Sequence, residues 1–212
     1  MIRPNRFQKP VRSYLIQKRK RMKQDFFESG VVYHVFNRGN NQEDIFIEEK
    51  NYSFFLSLMK KYLLSVADIY AFCLLKNHFH IALRIKDENL LTEKLMMKPY
   101  LAFSDLFNAY SKAINKAYNR RGSLFQEHLH RIRVEDEEYL IQLIAYIHLN
   151  PVKHGFIDDF KQYKYSSYKA YLSEKPTSVE KNYILSLFGD KGNFEYWHDV
   201  NKLYLEDRMN DI

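Results

Sequence analysis

The stretch "LLKNHFHIALRI" at residues 74–85 places His78 and His80 on either side of Phe79 within an apolar run. Alternate side chains of a β-strand lie on the same face, so a strand here puts the two imidazoles side by side and turns Phe79 to the other face. Two neutral imidazoles so placed can bind one divalent metal ion. The alternative is that the histidines are half-buried residues hydrogen-bonded within the fold.

A second pair with the same spacing occurs in "EHLH", where His128 and His130 flank Leu129. Charged residues surround this pair, which is typical of an edge strand that faces solvent or nucleic acid. The spacing by itself does not choose between the two pairs as a metal site.

A catalytic metal ion usually has a third protein ligand and open positions for substrate. The predicted helix over residues 136–150 offers Tyr146 and Asn150, which are one helical turn apart and therefore share a face. The Asn150 amide oxygen suits a hard ion and leaves the Tyr146 hydroxyl beside it. Tyr110 and Tyr118 on the preceding helix compete for the role of functional tyrosine.

The chain has 212 residues and 46% hydrophobic residues, enough for one well-buried core. Cys73 is the single cysteine and forms no internal disulfide, which favours a reducing, cytoplasmic setting. No signal peptide and no span of about 18 apolar residues is evident, so we expect a soluble protein without membrane contact.

The formal net charge of +7 is concentrated at the N-terminus. Residues 1–24 carry nine Lys and Arg and no acid, so the remaining residues together carry about −2. We treat residues 1–28 as a basic arm, which would attract nucleic acid without reading its sequence. The alternative is a solvated tail with no nucleic-acid partner.

The apolar pattern predicts strands at 30–41, 67–77, 78–86 and 123–134, with the second and third meeting at Lys76 and Asn77. Helical spacing predicts helices at 48–65, at 90–119 with a break at Pro99, and at 135–150 with an end at Pro151. A short tyrosine-rich helix near residue 172, a linker at 173–178 and a helical C-terminal appendage at 173–212 follow. Strands interleaved with helices in this way predict an α+β fold.

Several motifs resemble the single-tyrosine HUH transposases, in particular the repeat-associated group. They are "YHVFNRGNN", "NHFHIAL" and "GSLFQEHLHRIRVEDEEYLIQLIAYIHLNPVKHG", with the C-terminal "YILSLFGDKGNFEYWHDVNKLY". The motifs occur in the family's order and span about residues 30–205.

The resemblance implies an RRM-like or ferredoxin-like antiparallel sheet at residues 29–172, with the HUH pair on a central strand and the catalytic tyrosine on a late helix. By motif, His78, His80 and Asn150 would bind Mg²⁺ or Mn²⁺, and Tyr146 would be the nucleophile. The insertion-sequence branch commonly has Gln where this chain has Asn150. The "EHLH" pair does not match the family's metal motif and becomes a candidate for substrate contact or structure.

The implied function is cleavage of single-stranded DNA near hairpins through a 5′-phosphotyrosine intermediate, with rejoining by a 3′-hydroxyl. The alternatives are a catalytically silent hairpin-binding or regulatory protein and a metal-dependent nuclease that uses water. Expected partners are single-stranded or hairpin DNA and a second copy of the chain, and the expected location is cytoplasmic and nucleoid-associated. The predicted DNA contacts are Arg19, Lys20, Arg21, Arg38, Asn40, His128, His130, Arg131 and Arg133.

Overall fold

The structure, a computed structural model, describes residues 27–209 and the side chains of residues 27–202. Four strands form one antiparallel sheet in the order β2-β3-β1-β4. They are β1 (Val32–Arg38), β2 (Ala67–Leu75), β3 (His78–Ile85) and β4 (His130–Val134). Strand β3 is internal, so the predicted α+β fold with the histidine pair on a central strand is confirmed.

The helices pack on both faces of this sheet. They are α1 (Glu49–Leu58, continued by a π-helical turn at Met59–Leu63), α2 (Glu93–Met97), α3 (Tyr100–Ala117), α4 (Glu137–Lys153), α5 (Tyr168–Leu172), α6 (Lys181–Phe188) and α7 (Lys191–Met209). Short 3-10 turns occupy Asn40–Gln42, Glu88–Leu90 and Phe160–Gln162. No helix in this part of the chain is long and apolar enough to cross a membrane.

The two faces of the sheet bury different side chains. Phe79 points to the side of α1 and α3, where its ring lies 5.5 Å from those of Phe55 and Phe107. His78 and His80 lie on the other side, called here the histidine face, where the ring of Tyr146 on α4 is 5.5 Å from the ring of His80. The sheet therefore separates an aromatic core from a layer that carries imidazoles and a tyrosine.

The two outer strands differ in how their edges are covered. The outer edge of β2 makes backbone hydrogen bonds to residues outside the sheet. Leu74 N–H donates to Tyr165 O at 2.9 Å, and Glu180 N–H donates to Ile69 O at 2.8 Å. Strand β4, at the other edge, is only five residues long. The open side of the histidine face therefore lies toward β1 and β4, while α4 packs mainly on β2 and β3.

Two predicted boundaries were wrong. Helix α4 does not end at Pro151 but continues to Lys153. Proline removes only one backbone hydrogen bond, and the helix tolerates this loss because Pro151 is buried and lies two residues from the helix end. The last predicted strand pairs with β1 only from residue 130 onward. Residues 123–129 form a loop instead, where Leu124 O accepts from Asn40 N–H at 3.0 Å.

The C-terminal helices share the core of the sheet domain. Ile184, Phe188 and Phe194 are buried in the same hydrophobic cluster as the strands. His148 on α4 is fully buried and hydrogen-bonds His198 of α7 at 2.8 Å. The domain boundaries at residues 28 and 172 stay predictions.

Candidate active site on the histidine face

The two histidines of the HFH motif lie next to each other on β3. Their ring centroids are 5.3 Å apart and the rings are nearly perpendicular. His80 is buried and pairs with Cys73 on β2, while His78 is half-buried at the start of the strand. The alternation predicted from the sequence therefore holds for this pair.

Each ring is held through its Nδ1 atom. His78 Nδ1 lies 2.7 Å from Asn77 Oδ1, and because a carbonyl oxygen only accepts, Nδ1–H donates and Nε2 keeps its lone pair. His80 Nδ1 is 2.9 Å from Nε2 of His34, a buried residue of β1. Both Nε2 atoms are thus left for other partners, as a metal-binding imidazole requires.

Burial keeps these imidazoles neutral. Loss of solvation lowers the pKa of His78 to about 3, helped by the nearby His154, Arg38 and Lys153. Burial also lowers the pKa of His80 well below its ordinary value, and His34 and His78 add to this. At neutral pH both rings therefore present lone pairs rather than positive charge.

Tyr146 lies beside the histidine pair. Its half-buried ring is 5.5 Å from the His80 ring and 6.1 Å from the His34 ring, edge-on to both. Lys153, two turns further along α4, places its Nζ 3.5 Å from the Tyr146 hydroxyl and 4.4 Å from the ring centroid. A phenol is thereby held between imidazoles and an ammonium group.

The competing tyrosines lie elsewhere. Tyr110 is buried on the other side of the sheet, where its hydroxyl donates to Ile45 O at 2.7 Å. The Tyr118 hydroxyl donates to Glu48 Oε1 at 2.7 Å. Among the three tyrosines weighed from the sequence, Tyr146 is the one that contacts the HFH pair.

Asn150 lies one turn after Tyr146 and is fully buried. Its Nδ2 donates to Tyr146 O at 2.8 Å, whereas Oδ1 is buried without a hydrogen-bond partner. Tyr146 contacts His80, and His154 contacts His78 with ring centroids 4.8 Å apart. Asn150 therefore lies four residues from each of the two residues that contact the histidine pair, Tyr146 and His154.

The residues present suit a divalent metal ion if the side-chain amide oxygen of Asn150 is one of the ligands. Within residues 27–209 no three His, Cys, Asp or Glu side chains are grouped so that they could hold a metal ion. The two Nε2 atoms would need a ligand of another type, and the buried, unpaired Oδ1 of Asn150 is such a group. Its position one helical turn from Tyr146, which contacts His80, makes this oxygen a candidate ligand.

The second histidine pair is divided by the fold. His128 is exposed in the loop before β4, whereas His130 is on β4 and stacks on Phe36 with centroids 5.1 Å apart. The two imidazoles therefore do not share a strand, and the contact of this pair with DNA stays a prediction.

The predicted arginine contacts are distributed over both faces. Arg131 and Arg133 point away from the histidine face, where Arg131 lies over the Phe27 ring and Arg133 pairs with Glu28 at 3.2 Å. Arg38 is exposed at the end of β1 and helps to lower the pKa of His78, so it lies near the pair.

Other predicted contacts lie at the rim of the sheet or outside the description. Asn40 follows β1 in the turn at Asn40–Gln42. Arg19, Lys20 and Arg21 of the basic arm lie outside the described residues.

Three residues near the pair were not among the predicted site residues, namely His34, Lys153 and His154. His34 reaches His80 from a neighbouring strand, and strand pairing cannot be deduced from spacing within one segment. For Lys153 a signal existed, because it is seven residues after Tyr146 and therefore on the same helical face.

No protein-family model matches the chain. A Haemophilus influenzae protein, provisionally named a REP-associated tyrosine transposase, is 25% identical over 100 residues, which are 46% of this chain and 57% of that protein. A solved structure of a REP-associated tyrosine transposase bound to a REP hairpin covers 74% of this chain and 90% of its own, with a TM-score of 0.57 and 13% identity.

The resemblance to REP-associated tyrosine transposases is confirmed. The structural likeness shows the fold, which is the four-stranded antiparallel sheet with helices described above. The chain matches little more than half the length of the Haemophilus protein, so activity, substrate and partners are taken up as proposals.

Proposed function

We propose that the chain is a single-stranded DNA strand transferase of the transposase type, with Tyr146 as its nucleophile. The observation that carries this proposal is the position of the Tyr146 ring on α4, 5.5 Å from the ring of His80 on strand β3. A phenol beside two neutral imidazoles and an unpaired amide oxygen is suited to covalent phosphoryl transfer.

In the proposed step the Tyr146 hydroxyl oxygen attacks the phosphorus of a phosphodiester. A bond forms between that oxygen and phosphorus, the bond from phosphorus to the 3′-oxygen breaks, and the phenolic proton ends on that 3′-oxygen. One ester replaces another, so a 3′-hydroxyl can reverse the step and join strands without an external energy source. Lys153, 3.5 Å from the attacking oxygen, would stabilise the negative charge on the phosphoryl oxygens.

His78, His80 and Asn150 would hold the divalent metal ion. When bound, such an ion polarises the scissile phosphate and stabilises the charge that develops on its oxygens. The mixture of imidazole nitrogen and amide oxygen suits Mn²⁺ or Mg²⁺. Asn77 and His34 orient the two rings through their Nδ1 atoms.

Hairpin DNA with an unpaired flank is the proposed substrate, supported by the related solved structure, which is bound to a REP hairpin. Arg38 and Lys153 place positive charge beside the site, and the basic arm would add charge outside it. A second copy of the chain as partner and a nucleoid-associated, cytoplasmic location remain part of the proposal.

Two other functions differ in the product they predict. A catalytically silent hairpin-binding protein would bind DNA and leave it intact. A nuclease that uses water would cut DNA without becoming attached to it. The combination of His78, His80 and Tyr146 favours a working site over a silent one, since a protein that only bound hairpins would not need this set.

The test is to incubate the protein with a labelled hairpin oligonucleotide and Mn²⁺ and to separate the products on a denaturing gel. We expect a covalent protein-DNA species from the wild type, none from Tyr146→Phe, and none from His78→Ala/His80→Ala. Tyr196→Phe is the matched control, because Tyr196 is exposed on α7.

Each outcome separates the candidates. An adduct formed by Tyr146→Phe would show that the nucleophile is another residue. Cut DNA without any adduct would favour the nuclease, and intact bound DNA the silent protein.

A further inference from the structure

A row of three rings crosses the sheet beside the proposed nucleophile. Phe36 on β1 is directly opposite His80 on β3 and directly opposite His130 on β4. Residues that pair directly across strands point to the same side, so all three rings lie on the histidine face. Neighbouring strands are about 4.8 Å apart, so Phe36 lies one strand from the proposed metal site and His130 two strands from it.

The rings of this row pack against one another across the strands. Phe36 and His130 are stacked, with centroids 5.1 Å apart and an angle of 14° between their planes. Phe36 and His80 are 5.6 Å apart at 33°. Both Phe36 and His130 are partly exposed, and α4, of the described helices, packs mainly on β2 and β3.

Phe36 does not belong to the hydrophobic core. Its ring centroid lies 4.8 Å from that of His34, 5.6 Å from that of His80 and 5.1 Å from that of His130. Leaving a large apolar ring partly in water forgoes the stabilisation that burial would give. A flat ligand that covers the ring would recover it.

The tyrosine-rich segment around α5 is another candidate for aromatic contact with DNA, but several of its rings pack inside the fold. Tyr168 and Tyr171 are buried, and Tyr165 stacks on Tyr52 with centroids 3.7 Å apart. Within residues 27–202, the partly exposed rings of the row beside Tyr146 are therefore those of Phe36 and His130.

We propose that Phe36 and His130, called here the stacking platform, bind one unpaired nucleobase of the nucleotide next to the scissile phosphate. This inference rests on the proposed function. Arg38 and Lys153 flank the same side of the face and complement the phosphates of the strand that carries the base. Because every base has a π-face, the platform would favour unpaired over paired DNA at this position without selecting a base.

The experiment uses hairpin oligonucleotides with unpaired flanks, in which an abasic site is placed in turn at each unpaired nucleotide. Binding is measured by fluorescence anisotropy in the full-length Tyr146→Phe background, so that cleavage does not disturb it. Phe36→Leu removes the aromatic face but keeps an apolar side chain, and Phe36→Tyr keeps the ring. Phe54→Leu is the control, since Phe54 is an exposed ring on α1, away from the histidine face.

We expect Phe36→Leu to weaken binding of the intact oligonucleotide about 5- to 100-fold, as loss of one base-aromatic stack implies. Phe36→Tyr and Phe54→Leu should bind within twofold of the parent. At one abasic position the effect of Phe36→Leu should disappear, because the variant and the missing base remove the same contact.

Equal binding by Phe36→Leu and the parent, or an equal loss at every abasic position, would overturn the platform. If Phe36→Leu loses its circular dichroism spectrum, the partly exposed His130→Ala takes its place with the same expected pattern. The adduct assay is separate. A platform effect without any adduct would refute the proposed chemistry alone, and an adduct without a platform effect would refute the platform alone.

Discussion

The substitution Ser167→Ala tests a buried hydrogen-bond chain that connects the central sheet to the C-terminal helix. His198 Nδ1 lies 2.7 Å from Phe194 O, which can only accept, so Nδ1–H donates and His198 Nε2 must accept. His148 Nδ1–H therefore donates to it at 2.8 Å, and His148 Nε2 accepts from the Ser167 hydroxyl at 2.8 Å. Ser167 Oγ in turn accepts from Phe72 N–H at 2.9 Å.

The expected loss in free energy of unfolding follows from the two polar groups that Ser167→Ala leaves without a partner. Phe72 N–H loses its acceptor, and His148 Nε2, in a fully buried side chain, loses its donor. A buried polar group left without a partner costs about 1–3 kcal/mol, so we expect the free energy of unfolding to fall by about 2–4 kcal/mol. The lost volume is one oxygen atom, so packing adds little.

The assay is urea unfolding followed by the fluorescence of Trp197, the single tryptophan, which precedes His198 on α7. Ser186→Ala is the matched control, because its hydroxyl donates to Tyr183 O on an exposed helix and its loss should cost under about 0.5 kcal/mol. A loss below about 0.5 kcal/mol for Ser167→Ala would refute the assigned order of donors. The same order requires a proton on Nδ1 of both histidines, which imidazole ¹⁵N shifts measure.

The remaining predictions concern the metal site, pH and the turn after β1. Asn77→Leu removes the acceptor of His78 Nδ1–H and should weaken Mn²⁺ binding about 10- to 100-fold by calorimetry; unchanged affinity would contradict the fixed tautomer. Burial lowers the pKa of His198 to about 4, so the unfolded chain binds a proton that the folded chain does not, and the free energy of unfolding should fall as pH drops from about 6.5 to 4. A urea midpoint constant over that range would refute this. Gly39→Ala places a Cβ against the backbone carbonyl of Glu43 and should lower the melting temperature by several degrees; an unchanged melting temperature would show that the turn adapts.

Local rules of chain geometry made part of the site predictable from the sequence. The two-residue period of a strand put His78 and His80 on one face, and the structure agrees. The helical period likewise put Tyr146 and Asn150 on neighbouring turns of one helix, as observed. These features depend on residues within one segment, so no knowledge of distant contacts was needed.

Only the tertiary structure decided which segments meet. The order of the strands places β1 between β3 and β4, and this brings His34 into hydrogen-bond contact with His80. Pairing of β4 with β1 places His130 against Phe36, while His128 stays in the loop before β4. Packing of α4 on the histidine face brings Tyr146 to His80, whereas Tyr110 is held on the other side of the sheet. Strand order and helix docking are fixed by burial of both sheet faces at once, a property of the whole chain that no single segment's pattern contains.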